Sequence, residues 1–265
     1  MCRLFAQHAD PHHLPHEPLC VARNALRVQS HRHPHGWGIG WYDAAGVQLR
    51  RGVMPAHADA AFVAAAREAR SEIVLAHVRD ASVGEVVEEN THPFRHGPWL
   101  FAHNGTVCRF RRVAQVRRAL EAEIDPRYRA LLSGETDSER CFFMFLTRLD
   151  ARLRAGAAPG LEDVRGALRE TVAAVVRLAD RRPAKPSSLN LLVTNGAVLA
   201  VCRRGRTLQV APHIATSGVF AIASEPIGTG PWREVPEGGF VGIDPDHRIL
   251  EAPLGLSHRR GSAAA

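Results

Sequence analysis

The spacing of apolar and polar residues changes period along the chain, and each change marks a predicted element. Residues 3–8 read as a short strand that starts directly after Cys2. A His/Pro-rich loop follows over 11–18, then an apolar-periodic helix over 19–28. G-W-G-I-G-W-Y at 36–42 reads as a strand whose glycines let a backbone or ligand come close. Residues 47–51 pair back onto it across the turn 44–46, and 59–70 form an alanine-rich amphipathic helix. The long apolar run at 72–79 predicts a strand buried on both faces that delivers Arg79 at its exit, where an unpartnered charge is expensive. A second apolar strand, 99–102, ends on His103-Asn104-Gly105. Helices are expected over 110–121, over 140–153 with Thr136 or Asp137 as cap, and over 161–178. After the Pro-rich connection 181–186 the pattern turns to strands. A hairpin of 188–194 and 197–203 turns at Asn195-Gly196, and further strands lie near 218–223, 239–243 and 249–251. Residues 257–265 read as a disordered tail, and neither an internal repeat nor a linker interrupts the chain.

With 265 residues the chain is long enough for a full core, and 45% apolar against 23% charged residues is an ordinary globular balance. No apolar run reaches the roughly 18 residues a membrane span needs, and the start lacks the basic and apolar regions of a signal peptide. The net charge of +7 invites a nucleic-acid reading, but Lys185 is the single lysine and the arginines are scattered. The one dense group, Arg109, Arg111, Arg112, Arg117 and Arg118, falls on the expected helix as a solvated face. The chain is therefore expected to bind neither nucleic acid nor membrane. Five widely spaced cysteines without a C-x-x-C pair give no disulfide framework or zinc knuckle and fit a reducing cytoplasm. Cys20, Cys108, Cys141 and Cys202 read as small buried filler.

The candidate chemistry starts at the terminus. Trimming Met1 leaves Cys2 with a thiol and a free α-amine on one residue. An α-amine titrating near ~7.7 can accept the proton of a thiol titrating near ~8.5, which supplies a nucleophile with its own base. The Asn104-Gly105 pair reads either as a plain turn or as two donors, a side-chain amide and a backbone N–H, converging on an oxyanion. The histidines around 31–35, with His12, His13 and His16, raise a metal site, but no H-E-x-x-H or comparable spacing accompanies them. G-W-G-I-G-W fails as a dinucleotide fingerprint because it does not open a helix after a strand.

Five motifs occur together: M-C-R-L-F at the start, H-V-R-D-A-S at 77–82, N-T-H-P-F at 90–94, F-A-H-N-G at 101–105 and G-E-T-D-S-E at 134–139. In that order they resemble the class II glutamine amidotransferases, among the N-terminal-nucleophile hydrolases, and most closely the stand-alone branch without a fused synthase domain. The resemblance implies an α+β fold, a four-layer αββα sandwich in one domain over 2–256. The helices at 19–28, 59–70 and 140–178 would cover two antiparallel sheets. It implies that Cys2 attacks the γ-amide of glutamine and forms a γ-glutamyl thioester, which water hydrolyses to glutamate after ammonia has left. Asn104 and Gly105 would hold the oxyanion, Arg79 the α-carboxylate with help from Ser82, and Asp137 the α-ammonium. No cofactor or metal is implied.

The expected ligand is glutamine or another γ-glutamyl amide. Any use of the ammonia would need a separate acceptor protein, because no synthase region fits in the remaining sequence. A neighbouring branch with the same terminal cysteine removes glutamate from a γ-glutamyl conjugate in ergothioneine synthesis and is the alternative enzyme reading. A non-catalytic binding module is the alternative of another class. Two residues depart from the resemblance: His35 stands where an acidic residue is common before the glycine, and Asp80 follows Arg79, where it could neutralise it.

Overall fold

The computed structural model of the chain describes residues 2–10, 13–154, 156–212 and 218–256. Met1, His12 of the His/Pro loop and the expected tail 257–265 lie outside the described residues. Among those described, seven strands form one antiparallel sheet and six form another. The first sheet holds β1 (Arg3–His8), β2 (Trp37–Asp43), β3 (Gly46–Gly52), β4 (Ile73–Val78), β9 (Gln209–Ala211), β10 (Phe220–Ala223) and β11 (Arg233–Glu234), in the order β11-β9-β10-β1-β4-β2-β3. The second holds β5 (Phe94–His96), β6 (Trp99–Thr106), β7 (Ser188–Thr194), β8 (Leu199–Cys202), β12 (Gly239–Ile243) and β13 (Ile249–Pro253), in the order β13-β12-β8-β7-β6-β5.

Alternation along the strands divides the apolar residues into three layers. Leu4 and Ala6 of β1 and Leu75 of β4 meet Leu100 and Ala102 of β6 and Leu192 of β7 between the sheets. The opposite face of the first sheet, with Phe5, Trp37, Ile39 and Val78, lies under α1 (Leu26–Gln29) and α2 (Ala60–Glu68). The outer face of the second sheet, with Phe101, Leu191 and Val193, lies under α3 (Ala114–Ala122), α4 (Pro126–Arg129), α5 (Asp137–Arg152) and α6 (Leu161–Ala179). This is the expected α+β sandwich of two antiparallel sheets between helical layers.

Two caps match the sequence reading or sharpen it. Thr136, not Asp137, caps α5 by accepting the Glu139 N–H at 3.2 Å, and Asp59 caps α2 through the Ala61 N–H. The glycines of β2 do admit a close approach: a Cβ on Gly38 would stand 2.2 Å from the His92 carbonyl oxygen. That contact seats the 91–93 loop against the sheet.

Three expectations change. The helix over 19–28 is broken into a turn at Glu17–Val21 and the short α1, because Asn24 adopts φ 61 and ties its amide to the Pro226 carbonyl at 2.9 Å. The helix expected from 110 starts at Ala114. Before it, Cys108 hydrogen-bonds the Ser187 hydroxyl at 2.9 Å, Arg109 takes φ 64, and Phe110 is buried. Arg109, Arg111 and Arg112 therefore lie in a turn, and only Arg117 and Arg118 of that cluster are on the helix. The third change concerns the site: β6 does not end at Ala102 but runs through Asn104 and Gly105 to Thr106, paired with β7 to the last residue.

Candidate active site

Strand register brings the first motif onto the second. In the β1–β4 ladder Arg3 pairs with Val78 and Leu4 with His77, so Cys2, one step beyond the strand, comes alongside Arg79 and Asp80. The Asp80 N–H donates to Cys2 Sγ at 3.3 Å, and the thiol lies 3.5 Å from the Asp80 carbonyl oxygen. By alternation Cys2 shares the face of Leu4 and Ala6, towards the gap between the sheets. Burial pushes its thiol up, while the Asp80 N–H and the Arg79 charge pull it back down. Arg3 fastens the same end by an ion pair with Glu225.

Asn104 approaches from the other sheet, on the face of β6 that carries Leu100 and Ala102. Its Nδ2 donates to Ser224 Oγ at 2.9 Å, and that oxygen also accepts the Leu4 N–H at 3.0 Å. The Ser224 N–H in turn donates to the Leu4 carbonyl at 3.0 Å. One serine thus ties the Asn104 amide to the strand that begins at Cys2. Because Asn104-Gly105 continues a paired strand, the plain-turn reading is corrected. The reason lies in Gly105, where a Cβ would meet the Ser188 carbonyl oxygen at 1.9 Å and His103 Nε2 at 2.4 Å. Glycine here serves close approach to β7 and not a reversal of the chain.

Arg79 is 2% exposed, and its guanidinium is anchored by main-chain carbonyls. Nη1 donates to Glu85 at 2.8 Å, and Nη2 to Val83 at 3.0 Å and Gly84 at 3.4 Å. Asp80 turns its carboxylate to His35, with Oδ1 3.4 Å from Nδ1. Asp137, the first residue of α5, accepts the Val107 N–H on Oδ2 at 2.6 Å, a charge-assisted bond at a helix N-terminus. Beside it His103 is buried, with Nδ1 2.9 Å from Ser138 Oγ and Nε2 2.9 Å from the Ser188 carbonyl oxygen. A carbonyl only accepts, so the ring proton sits on Nε2 and Ser138 donates to Nδ1. Ser82 is exposed, its hydroxyl 3.4 Å from that of Thr106 next to Gly105. A cleft of about 240 Å³ opens there, floored by Val83, Val107 and Phe110 and rimmed by Arg111, Arg112 and Lys185.

A family model described as glutamine amidotransferases class-II matches residues 1–238. The chain belongs to that family. It is 32% identical over 265 residues to a γ-glutamyl-hercynylcysteine sulfoxide hydrolase of Mycolicibacterium smegmatis, covering 96% of this chain and all of that one. A solved glutamine aminotransferase class-II domain protein of Silicibacter pomeroyi superposes with a TM-score of 0.66 at 24% identity, over 95% of this chain and 98% of the other. The glutamine phosphoribosylpyrophosphate amidotransferase of Bacillus subtilis superposes with a TM-score of 0.64 at 16% identity, over 96% of this chain and 50% of its own. These likenesses show that the fold, two antiparallel sheets between helical layers, is the one those two solved proteins have.

Sequence reasoning passed over Ser224, whose one signal was a hydroxyl closing the apolar run Phe220–Ala223. It also missed the Asp80 main chain, since any residue supplies a backbone N–H. Of the filler cysteines, Cys108, Cys141 and Cys202 are buried and Cys20 half-buried. Burial pushes Cys202 up to about 12 and Cys141 well above the usual thiol range, which leaves them poor nucleophiles. Among the described residues no group of three or more His, Cys, Asp or Glu could hold a metal ion, and no helix is long and apolar enough to cross a membrane.

The gap next to the site holds two buried imidazoles, His77 and His92, with ring centroids 4.3 Å apart. Burial holds His77 down at about 3 and His92 well below its usual range. His8, His33 and His103 are lowered as well, each first by burial. These rings stay neutral in the fold while an unfolded chain takes up protons below about pH 6.5, so stability is complete above that pH and is lost progressively below it. We expect urea midpoints to fall between pH 7 and pH 5 with a slope equivalent to two or more protons taken up on unfolding. A flat midpoint over that range would contradict it.

Proposed function

We propose that the chain hydrolyses a γ-glutamyl amide through a Cys2 thioester. What supports the proposal is the Asp80 N–H on the Cys2 sulfur, the Arg79 charge beside it, and Ser224, which ties the Asn104 amide to the Leu4 N–H two residues on from Cys2. Removal of Met1 exposes the Cys2 α-amine, which takes the thiol proton. The sulfur attacks the γ-carbonyl carbon, and the Asn104 amide and Gly105 N–H receive the oxyanion. Removing one such donor typically raises a barrier by ~2.7–4 kcal/mol. The α-amine returns the proton to the departing amine. Water then attacks the thioester, releases glutamate and restores the thiol.

Arg79 has five N–H donors against three carbonyl contacts and offers the rest to the substrate α-carboxylate, assisted by Ser82. The Asp137 carboxylate, oriented by Val107, balances the α-ammonium. A free glutamyl group is a zwitterion, so its pocket needs one cation and one anion, and these two residues supply them.

The simplest substrate is glutamine, with ammonia as leaving group and a separate acceptor protein if the ammonia is used. The full-length match to a γ-glutamyl-hercynylcysteine sulfoxide hydrolase favours a larger γ-glutamyl conjugate as a second reading. Glutamate release from glutamine and from a panel of γ-glutamyl conjugates, with rapid-quench mass spectrometry of the N-terminal peptide, separates these readings. We expect a γ-glutamyl adduct on Cys2 with at least one substrate. Turnover without an adduct on that peptide would refute the thioester. A kcat/KM for glutamine at or above that of every conjugate would remove the second reading.

A further inference from the structure

We propose that His35 is a positioning residue for the Cys2 sulfur, acting through the two peptide units on either side of Asp80. β4 ends at Val78, so the Asp80 main chain, which touches the sulfur, lies past the end of the ladder. His35 holds it from behind. The β2–β4 pairing extends one step by the Arg79 N–H to the Gly36 carbonyl at 2.8 Å and the His35 N–H to the Arg79 carbonyl at 3.0 Å. The His35 side chain then reaches the next peptide, where Nδ1 accepts the Ala81 N–H at 3.2 Å.

Peptide planarity turns these contacts into a clamp. In a trans peptide the C=O and the following N–H point in opposite directions within one rigid plane. The Arg79 carbonyl bound by the His35 N–H belongs to the same plane as the Asp80 N–H that donates to Sγ. The Asp80 carbonyl facing the thiol belongs to the same plane as the Ala81 N–H bound by His35 Nδ1. His35 therefore grips the back of both units whose fronts meet the sulfur. Any residue at 35 could supply the first grip from its main chain. Only a side chain with an acceptor at the Nδ1 position supplies the second.

That bond needs the Nδ1 lone pair, so the ring acts as the neutral tautomer with its proton on Nε2. With Nδ1 taken by the Ala81 N–H, the Asp80 Oδ1 at 3.4 Å is a second acceptor beside it and not an ion-pair partner, so the grip is the Ala81 contact alone. The inference rests on Cys2 as the nucleophile proposed above, but its test reads the thiol directly.

The experiment compares the processed wild type with His35→Ala, His35→Asn and His35→Gln, each checked for folding by circular dichroism. Asn places its Oδ1 where His has Nδ1, whereas Gln places its polar group near Nε2. Iodoacetamide alkylation of Cys2, followed by peptide mass spectrometry from pH 6 to 10, reports the thiolate, and γ-glutamyl hydrolysis gives kcat and KM. We expect His35→Ala to alkylate about tenfold more slowly at pH 7, the change that one unit in thiol pKa produces. Its kcat should fall with KM unchanged. We expect His35→Asn to recover most of both losses and His35→Gln to resemble His35→Ala. A wild-type alkylation profile in His35→Ala, or equal behaviour of Asn and Gln, would overturn the clamp. Should no γ-glutamyl amide be cleaved while the alkylation series behaves as expected, the proposed function fails and the clamp stands.

Discussion

Replacing Cys2 by alanine should lower glutamate release at least about ten-thousand-fold and leave the fold intact. The size follows from the role: removing a covalent nucleophile leaves only the binding and oxyanion contributions. The fold should survive because Cys2 precedes β1, is half-buried, and contributes only the sulfur contacts at Asp80. β1 keeps its pairing with β4 and β10 from Arg3 and Phe5 onward. Cys2→Ser sharpens the experiment by retaining an acceptor for the Asp80 N–H while replacing the sulfur with a much weaker nucleophile. Intact-mass measurement must accompany both, because a retained Met1 blocks the α-amine and would silence the wild type too. Equal turnover in wild type and Cys2→Ala, with Met1 removed from both, would end the thioester proposal.

Gly105→Ala should have the largest effect on the folded state. Its Cβ would fall 1.9 Å from the Ser188 carbonyl oxygen and 2.4 Å from His103 Nε2. Neither neighbour can give way cheaply. Ser188 is paired in register with Thr106, and its carbonyl accepts from His103, whose other nitrogen is held by Ser138. Such overpacking costs about 3 kcal/mol or more. For a chain of this size that corresponds to a fall in Tm of roughly 6–12 °C. Thermal unfolding by circular dichroism decides it: a Tm within 2 °C of wild type, a margin of about 1 kcal/mol, would mean that the β6–β7 edge can part here. Activity measured on the same variant would test the oxyanion role proposed for the Gly105 N–H.

The strands with long apolar runs were legible from their residues alone. β1, β4, β7 and the Asn195-Gly196 reversal lie within a residue or two of where the pattern puts them, and for β4 the reason is burial on both faces, which favours the apolar run Ile73–Ala76. β5, β9 and β11 are two or three residues long, too short to establish a period, and exist because a longer neighbour offers them a ladder. The 19–28 segment has helical spacing, but the backbone turns extended at Ala22 and Ala25, with Asn24 between them at φ 61 donating to the Pro226 carbonyl. Asn104-Gly105 misled in the same way, since Asn-Gly favours a turn locally while β7 offers a continuous partner through Thr106.

By itself the sequence determined the chemistry available: a cysteine at position 2, a cation at the exit of a buried strand, an amide beside a glycine, and a carboxylate at a helix start. Those are properties of single residues and their near neighbours, and the order of the motifs pointed to the family that the match over residues 1–238 then established. Only the tertiary structure decided which groups meet. The antiparallel register brings Cys2 to Arg79 and Asp80, 78 positions away in the chain for the sulfur contact. Ser224 joins Asn104 to β1 across 120 positions. The arginine turns to the 83–85 carbonyls, and His35 stands behind the Asp80 main chain. Contacts of that kind depend on strand pairing and on the direction of peptide planes, and neither has a signature in the identity of the residues involved.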